Sequence, residues 1–266
     1  MTMFQTESGR GLMLGLILAG ALVASISAAA DGDAEWTGDI ALSVSAQSGT
    51  TDSFSGAVDA KTDRASEKDH VTVRLKADYG TSEKTGDDGA NTTQDSQTLT
   101  ADWKYIVRER FFWGSRSEVS RDGTQDRKLR VAADTGPGYR VWQSDVDGNE
   151  HFDVRGGVGY RLEIVDVPTG TPESGTDDHH FVDLVAGFEY KNMFFDDNLD
   201  FTHTGSVRAP ANGFSDFIVN SEALVGVPFS ESWSFRAGVS VEYINGAPDG
   251  INKVTTKTSV GLGYKF

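Results

Sequence analysis

From Trp36 onward the chain alternates. Trp36, Gly38, Ile40, Leu42 and Val44 interleave with Thr37, Asp39, Ala41, Ser43 and Ser45, and Val71, Val73, Leu75, Ala77 and Tyr79 interleave with Thr72, Arg74, Lys76 and Asp78. A period of two is that of a β-strand, with one set on each face. The same pattern predicts twelve strands, at 36–45, 54–62, 71–79, 99–105, 111–121, 129–142, 152–164, 181–190, 199–208, 217–227, 233–243 and 254–266. The fifth is the least regular, around Phe111-Phe112-Trp113. In the twelfth, Val254, Thr256, Thr258, Val260, Leu262, Tyr264 and Phe266 share one face.

A soluble barrel or sandwich also alternates, with its apolar face inward. Strand length separates the cases: soluble strands average about 5–6 residues, and these run to about 10, the length that crosses a bilayer. Aromatic residues gather near the segment ends (Trp36, Tyr79, Trp103, Tyr105, Tyr190, Trp233, Tyr243), as at a membrane–water interface. The pattern therefore predicts an all-β fold, a single antiparallel transmembrane barrel of about twelve strands. Tyr264 and the final Phe266 look like the signal by which barrel-assembly machinery recognises outer-membrane barrels. Long gaps, 80–95 and 165–180, follow strands three and seven, and tight ones, 107–110 and 228–231, follow strands four and ten. Long loops after odd strands fit an orientation with both termini periplasmic.

The leading segment agrees. Gly11–Ile26 is apolar and is followed by Ser27-Ala28-Ala29-Ala30. It is short for a membrane span, which needs about 20 residues. It reads as a cleavable signal peptide over 1–30, leaving 31–266 as the barrel. The absence of Cys removes both disulfide stapling and lipid attachment through a thiol. A net charge of −16 argues against nucleic-acid partners. The partners this predicts are outer-membrane lipid, lipopolysaccharide and the assembly machinery of a Gram-negative bacterium.

If the apolar set faces lipid, the other set lines a lumen. Candidate lining residues are Arg74, Lys76, Asp102, Arg116, Glu118, Arg130, Asp134, Asp153, Arg155, Arg161, Glu163, Asp183, Glu189, Glu222, Arg236, Glu242 and Lys257. Over the whole inner face thirteen positive candidates meet thirteen negative ones, so the wall is near neutral and the acidic excess lies in loops and turns. Two readings stand. Opposite charges could pair across the wall and close the lumen, or the barrel could enclose a narrow selective conduit.

Candidate chemistry is sparse. Some outer-membrane barrels of this size are esterases that use Ser and His on the lipid-facing wall. His203-Thr204-Gly205-Ser206 brings the two types close, but residues three apart on a strand face opposite ways. A Ser–His pair drawn from different strands stays open. Asp177-Asp178-His179-His180 reads as a solvated acidic stretch ending the seventh loop. Asp145–Glu150 starts like a calcium loop, yet its Gly falls at the fourth position and Gly156 stands where the bidentate acid belongs. Asp87-Asp88 could bind divalent cations weakly beside lipopolysaccharide phosphates. Gly156-Gly157-Val158-Gly159 lies within a strand and is no phosphate loop. No catalytic residue, cofactor or metal site is predicted.

The run Gly136-Pro137-Gly138-Tyr139-Arg140 and then Asp153–Tyr160, with Phe214-Ser215-Asp216-Phe217, Val227-Pro228, Pro248 and Lys253–Phe266 after it, resembles the YdiY-like family of salt-induced outer-membrane proteins. The resemblance covers most of the sequence after Trp36, and the acidic loops and fifth strand depart from the family pattern. It implies an outer-membrane barrel and transfers no catalytic residue. The expected role is a non-enzymatic envelope protein or narrow channel linked to salt or osmotic conditions. The alternatives are an outer-leaflet lipid hydrolase and a purely structural or adhesive barrel.

Overall fold

The computed structural model describes residues 36–47, 51–66, 68–84, 91–123, 127–144, 150–167, 175–195, 198–213, 216–245 and 253–266. The predicted signal peptide, Asp87-Asp88 and most of the Asp145–Glu150 stretch lie outside them. The strands are β1 (Trp36–Gln47), β2 (Thr51–Ala65), β3 (Asp69–Lys84), β4 (Asn91–Arg108), β5 (Phe111–Asp122), β6 (Arg127–Gln143), β7 (His151–Val167), β8 (Gly175–Phe194), β9 (Leu199–Pro210), β10 (Ile218–Pro228), β11 (Trp233–Ile244) and β12 (Val254–Lys265). Each pairs antiparallel with its sequence neighbours, and β12 returns to β1, closing the barrel.

The strands outrun the apolar alternation. The expected long loops at 80–95 and 165–180 are largely hairpin, because β3 reaches Lys84 and β4 starts at Asn91, while β7 reaches Val167 and β8 starts at Gly175. Backbone pairing continues through polar residues, as in Asp78↔Ser96, Tyr79↔Asp95 and, past a bulge, Thr81↔Thr92. Hydrophobic pattern marks where a strand meets lipid, whereas hydrogen bonding marks where it ends. Asp177–His180 is likewise strand, paired with Leu162–Val165, and not loop. The link between β6 and β7 covers 144–150, as long as several links after odd strands, so the odd–even rule of loop lengths does not hold throughout.

Polarity is inverted relative to a soluble barrel. The outward face carries exposed Leu99, Val158, Val182, Leu184, Phe235 and Leu262, and Val44 and Val260 are 73% and 71% exposed. The buried side chains instead include Arg130, Asp134, Asp153, Arg161 and Asp183. An apolar outside around a charged inside is the arrangement of a barrel that spans lipid. Around the end where β1 begins and β12 finishes, outward aromatic pairs form a band: Trp103–Tyr105, Phe111–Tyr139, Phe152–Tyr190, Phe229–Phe235 and Trp233–Tyr264. Such rings suit the boundary between hydrocarbon and water.

The seam between β1 and β12 runs from Asp39↔Lys265 to Ser43↔Gly261. Beyond it Gly38 and Phe266 exchange backbone hydrogen bonds of 3.1 and 2.9 Å. Glycine is needed at Gly261, where a Cβ would lie 2.1 Å from the Leu42 carbonyl oxygen; at Gly38 a Cβ would meet the Phe266 ring at 2.5 Å, which a turn of the ring relieves. Gly261→Val should therefore pry the seam open, at a cost of about 1–3 kcal/mol or more. The check is the urea midpoint of the refolded protein and its heat-dependent gel shift. An unchanged midpoint would contradict the close approach.

Candidate functional site: the lumen wall

In a closed barrel, side chains on strands that are not neighbours can meet only through the interior. Several ion pairs do so. Arg74 on β3 donates from Nη1 and Nη2 to Glu222 on β10 at 2.8 and 3.1 Å, and from Nε to Asp59 on β2 at 2.7 Å. Lys76 joins the same Glu222. Arg130 on β6 holds Glu163 on β7 at 2.7 Å and Glu242 on β11 at 2.9 Å. Asp134 accepts Arg155 from β7 and Arg208 from β9, each at 2.7 Å. Lys257 on β12 reaches Asp78 on β3 at 3.1 Å and Ser96 on β4. Arg236 on β11 meets Asp39 on β1. Arg116 lies more loosely between Asp102 and Glu118, at 3.8 and 3.9 Å.

Two further groups stand at either end of this network. Asp183 is fully buried and Arg161 is 1% exposed. Arg161 donates from Nε to Asp183 at 3.0 Å and from Nη1 to Glu163 at 2.9 Å. Its Nη2 reaches the Asp216 carbonyl at 3.2 Å, and the guanidinium lies 4.0 Å from the centre of the Phe181 ring. The second group stands at the mouth shared with the termini. There Arg140 donates to Asp153 at 2.8 and 3.1 Å, Lys104 joins Asp153 and Glu189, and His151 sits alongside. Just outside the strands, Glu150 accepts the Met193 backbone N–H at 3.0 Å. That bond, with a hydrogen bond from Ser144, holds its carboxyl below the ordinary glutamate range.

Inward glycines make room for these groups. The Phe112 ring occupies the space a Cβ on Gly138 would take, and the Arg236 guanidinium does the same at Gly263. Gly136 and Gly157 face one another so closely that a Cβ on either would strike the other strand's backbone. Neither Gly136 nor Pro137 has a register partner on β7, so the Gly136-Pro137-Gly138 run interrupts the ladder there.

On the outer wall the two histidine-containing stretches part ways. Ser206 shares a face with Arg208, as the alternation requires, and is not the partner of His203. Ser221 on β10, in register with Gly205, is that partner: its Oγ lies 3.0 Å from His203 Nε2. Phe188 stands edge-on to the imidazole at 5.0 Å, with Phe201 beyond. Sequence offered no direct signal for Ser221, apart from its being a hydroxyl on the apolar parity of β10. His179 lies 3.4 Å from Asp177 on an exposed stretch of β8, and His180 bonds Tyr160.

A family model described as "Protein of unknown function, DUF481" matches residues 40–266. The chain belongs to the DUF481 family. Comparison with curated proteins finds no match. Among solved structures, this DUF481 chain is similar to the translocator domain of autotransporter NalP from Neisseria meningitidis. The two are 14% identical over 99% of this chain and 100% of that one, with a TM-score of 0.45. It is also similar to the NanC porin, 7% identical over 86% and 98% with a TM-score of 0.44. For the KdgM porin the figures are 9%, 86%, 99% and 0.40.

The Arg161–Asp183 pair gives a stability test. Arg161→Met strands a fully buried carboxylate, and breaking such a pair costs about 3–5 kcal/mol. Arg161→Met combined with Asp183→Leu should recover most of that loss. Urea unfolding in lipid vesicles reads both, and equal losses in the single and double variants would argue against coupling.

Proposed function

We propose that this DUF481 barrel is a non-enzymatic protein of the Gram-negative outer membrane whose lumen is a narrow conduit restrained by ion pairs that cross it. The observation that carries the reading is the set of bridges between distant strands: Arg74–Glu222, Arg130–Glu242, Arg208–Asp134 and Lys257–Asp78. In this reading both termini are periplasmic, the outward wall meets phospholipid and lipopolysaccharide, and Tyr264 and Phe266 serve recognition by the assembly machinery. The inward charges, from Arg74 to Lys257, line the path a small solute takes.

This reading also gives a physical form to the link with salt. Bridges in a wet lumen are held by interactions that ions screen, with a Debye length of about 10 Å at 0.1 M salt and about 3 Å at 1 M. Raising ionic strength loosens the bridges and widens the path. Planar-bilayer recordings of the refolded protein should show small discrete steps that grow faster than bulk conductivity between 0.1 and 1 M KCl. Glu222→Gln, which frees Arg74 and Lys76 from β10, should enlarge the step at low salt. No step at any salt, in either protein, removes the conduit.

One observation favours a second reading, a lipid-ester hydrolase. Ser221 and His203 are hydrogen-bonded on the lipid-facing wall. Ser221 Oγ could attack an ester carbonyl while its proton passes to His203 Nε2, which returns it to the departing alcohol. Water would then release the acyl group from Ser221. Polar groups facing lipid also pair simply to satisfy one another. Fatty-acid release from phospholipid vesicles decides between these. The first reading predicts none, and turnover abolished by Ser221→Ala would establish the second.

A further inference from the structure

His151 begins β7 on the inner face, and Asp153, two residues on, shares that face. The β7–β8 register sets Glu189 directly opposite Asp153. His151 is only 8% exposed, yet both of its ring nitrogens are buried without a hydrogen-bond partner. A buried polar group orphaned in this way is destabilising until something satisfies it. Nε2 points at two carboxylates, 3.9 Å from Asp153 Oδ2 and 3.7 Å from Glu189 Oε2, and the three ligand atoms lie within 4.8 Å of one another. The two nitrogen–oxygen distances, 3.9 and 3.7 Å, fall within the roughly 3–4 Å between neighbouring ligands of an ion with bonds of about 2.0–2.2 Å. The position between the two oxygens already holds a cation. Lys104 Nζ lies 3.1 Å from Asp153 Oδ2 and 2.5 Å from Glu189 Oε2.

We propose that His151, Asp153 and Glu189 form a binding site for a divalent transition-metal ion of the zinc type, with the Lys104 ammonium as its displaceable occupant. One imidazole nitrogen beside two carboxylate oxygens favours zinc and its neighbours over calcium or magnesium, which take oxygen alone. Arg140 fixes the carboxylate from behind: its Nε holds Asp153 Oδ1 at 2.8 Å and its Nη2 holds Oδ2 at 3.1 Å, and Oδ2 turns its remaining lone pair to the ion position. When the ion enters, the ammonium swings into the lumen, where the Phe112 ring, now 5.6 Å from Nζ, keeps a face open to it. The exchange replaces a bridge from β4 to β7 and β8 with a link confined to β7 and β8. The site does not depend on whether the lumen conducts.

Calorimetric titration of untagged, refolded full-length protein with Zn2+ tests this. The expected result is one ion per chain, at least tenfold weaker binding in His151→Gln and in Glu189→Gln, and at least tenfold tighter binding in Lys104→Met. Mg2+ in excess should not compete. The heat-dependent gel shift confirms that each variant is folded. Electron paramagnetic resonance of the wild type loaded with Cu2+ should show a nitrogen ligand, a readout that needs no variant to fold. The proposal is overturned by no Zn2+ uptake in the wild type at millimolar metal, including the case in which only Lys104→Met binds. It is equally overturned by affinity unchanged in His151→Gln, by loss in His179→Gln instead, or by a Cu2+ spectrum without nitrogen.

Discussion

Charge balance inside a closed wall is the constraint on which the rest of the molecule depends. An ion sealed in a barrel lacks the water that stabilises it at a surface, and removing it from water costs several kcal/mol unless an opposite charge is close. Every cation described in the lumen is met accordingly. Asp134 serves Arg155 and Arg208, Glu222 serves Arg74 and Lys76, and Glu163 serves Arg130 and Arg161. Carboxylates shared between two cations knit the wall into chains of charge rather than isolated pairs. Such chains couple distant strands, so the interior acts as a scaffold as much as a lining.

The outside follows a different rule, and that difference governs what could be read from sequence. Lipid demands an apolar residue at every second position over the depth of the membrane, so all twelve strands show in the pattern. Beyond the lipid the demand ends while backbone pairing goes on, which is why the polar ends of β3, β4, β7 and β8 looked like loop. The same reasoning gave Ser206 and His203 their opposite faces.

Partnership was much less legible. The parity of Arg74 and of Glu222 each follows from local alternation, but their meeting depends on strand tilt and on a barrel closed across 148 residues of chain. Ser221 meets His203 through a diagonal offset between β9 and β10 that no local pattern encodes. His151 and Asp153 announce a shared face by their spacing, whereas Glu189 joins them only through the β7–β8 register. Orphaned ring nitrogens are a property of packing and leave no trace in sequence.

The β1–β12 seam has a consequence for the order of folding. Asp39 and Lys265 are 226 residues apart (265 − 39), whereas every other strand pairs with its immediate successor. Contacts so distant along the chain form slowly, because the intervening segment must be organised before they return any stabilisation. Hairpins can assemble one after another, but the seam must wait for both ends. Until it forms, β1 and β12 each present a bare edge of unpaired amides and carbonyls, which lipid does not tolerate and other chains readily capture. Gly261, where a Cβ would lie 2.1 Å from the Leu42 carbonyl oxygen, is what allows the two bare edges to come close enough to pair once both are in place.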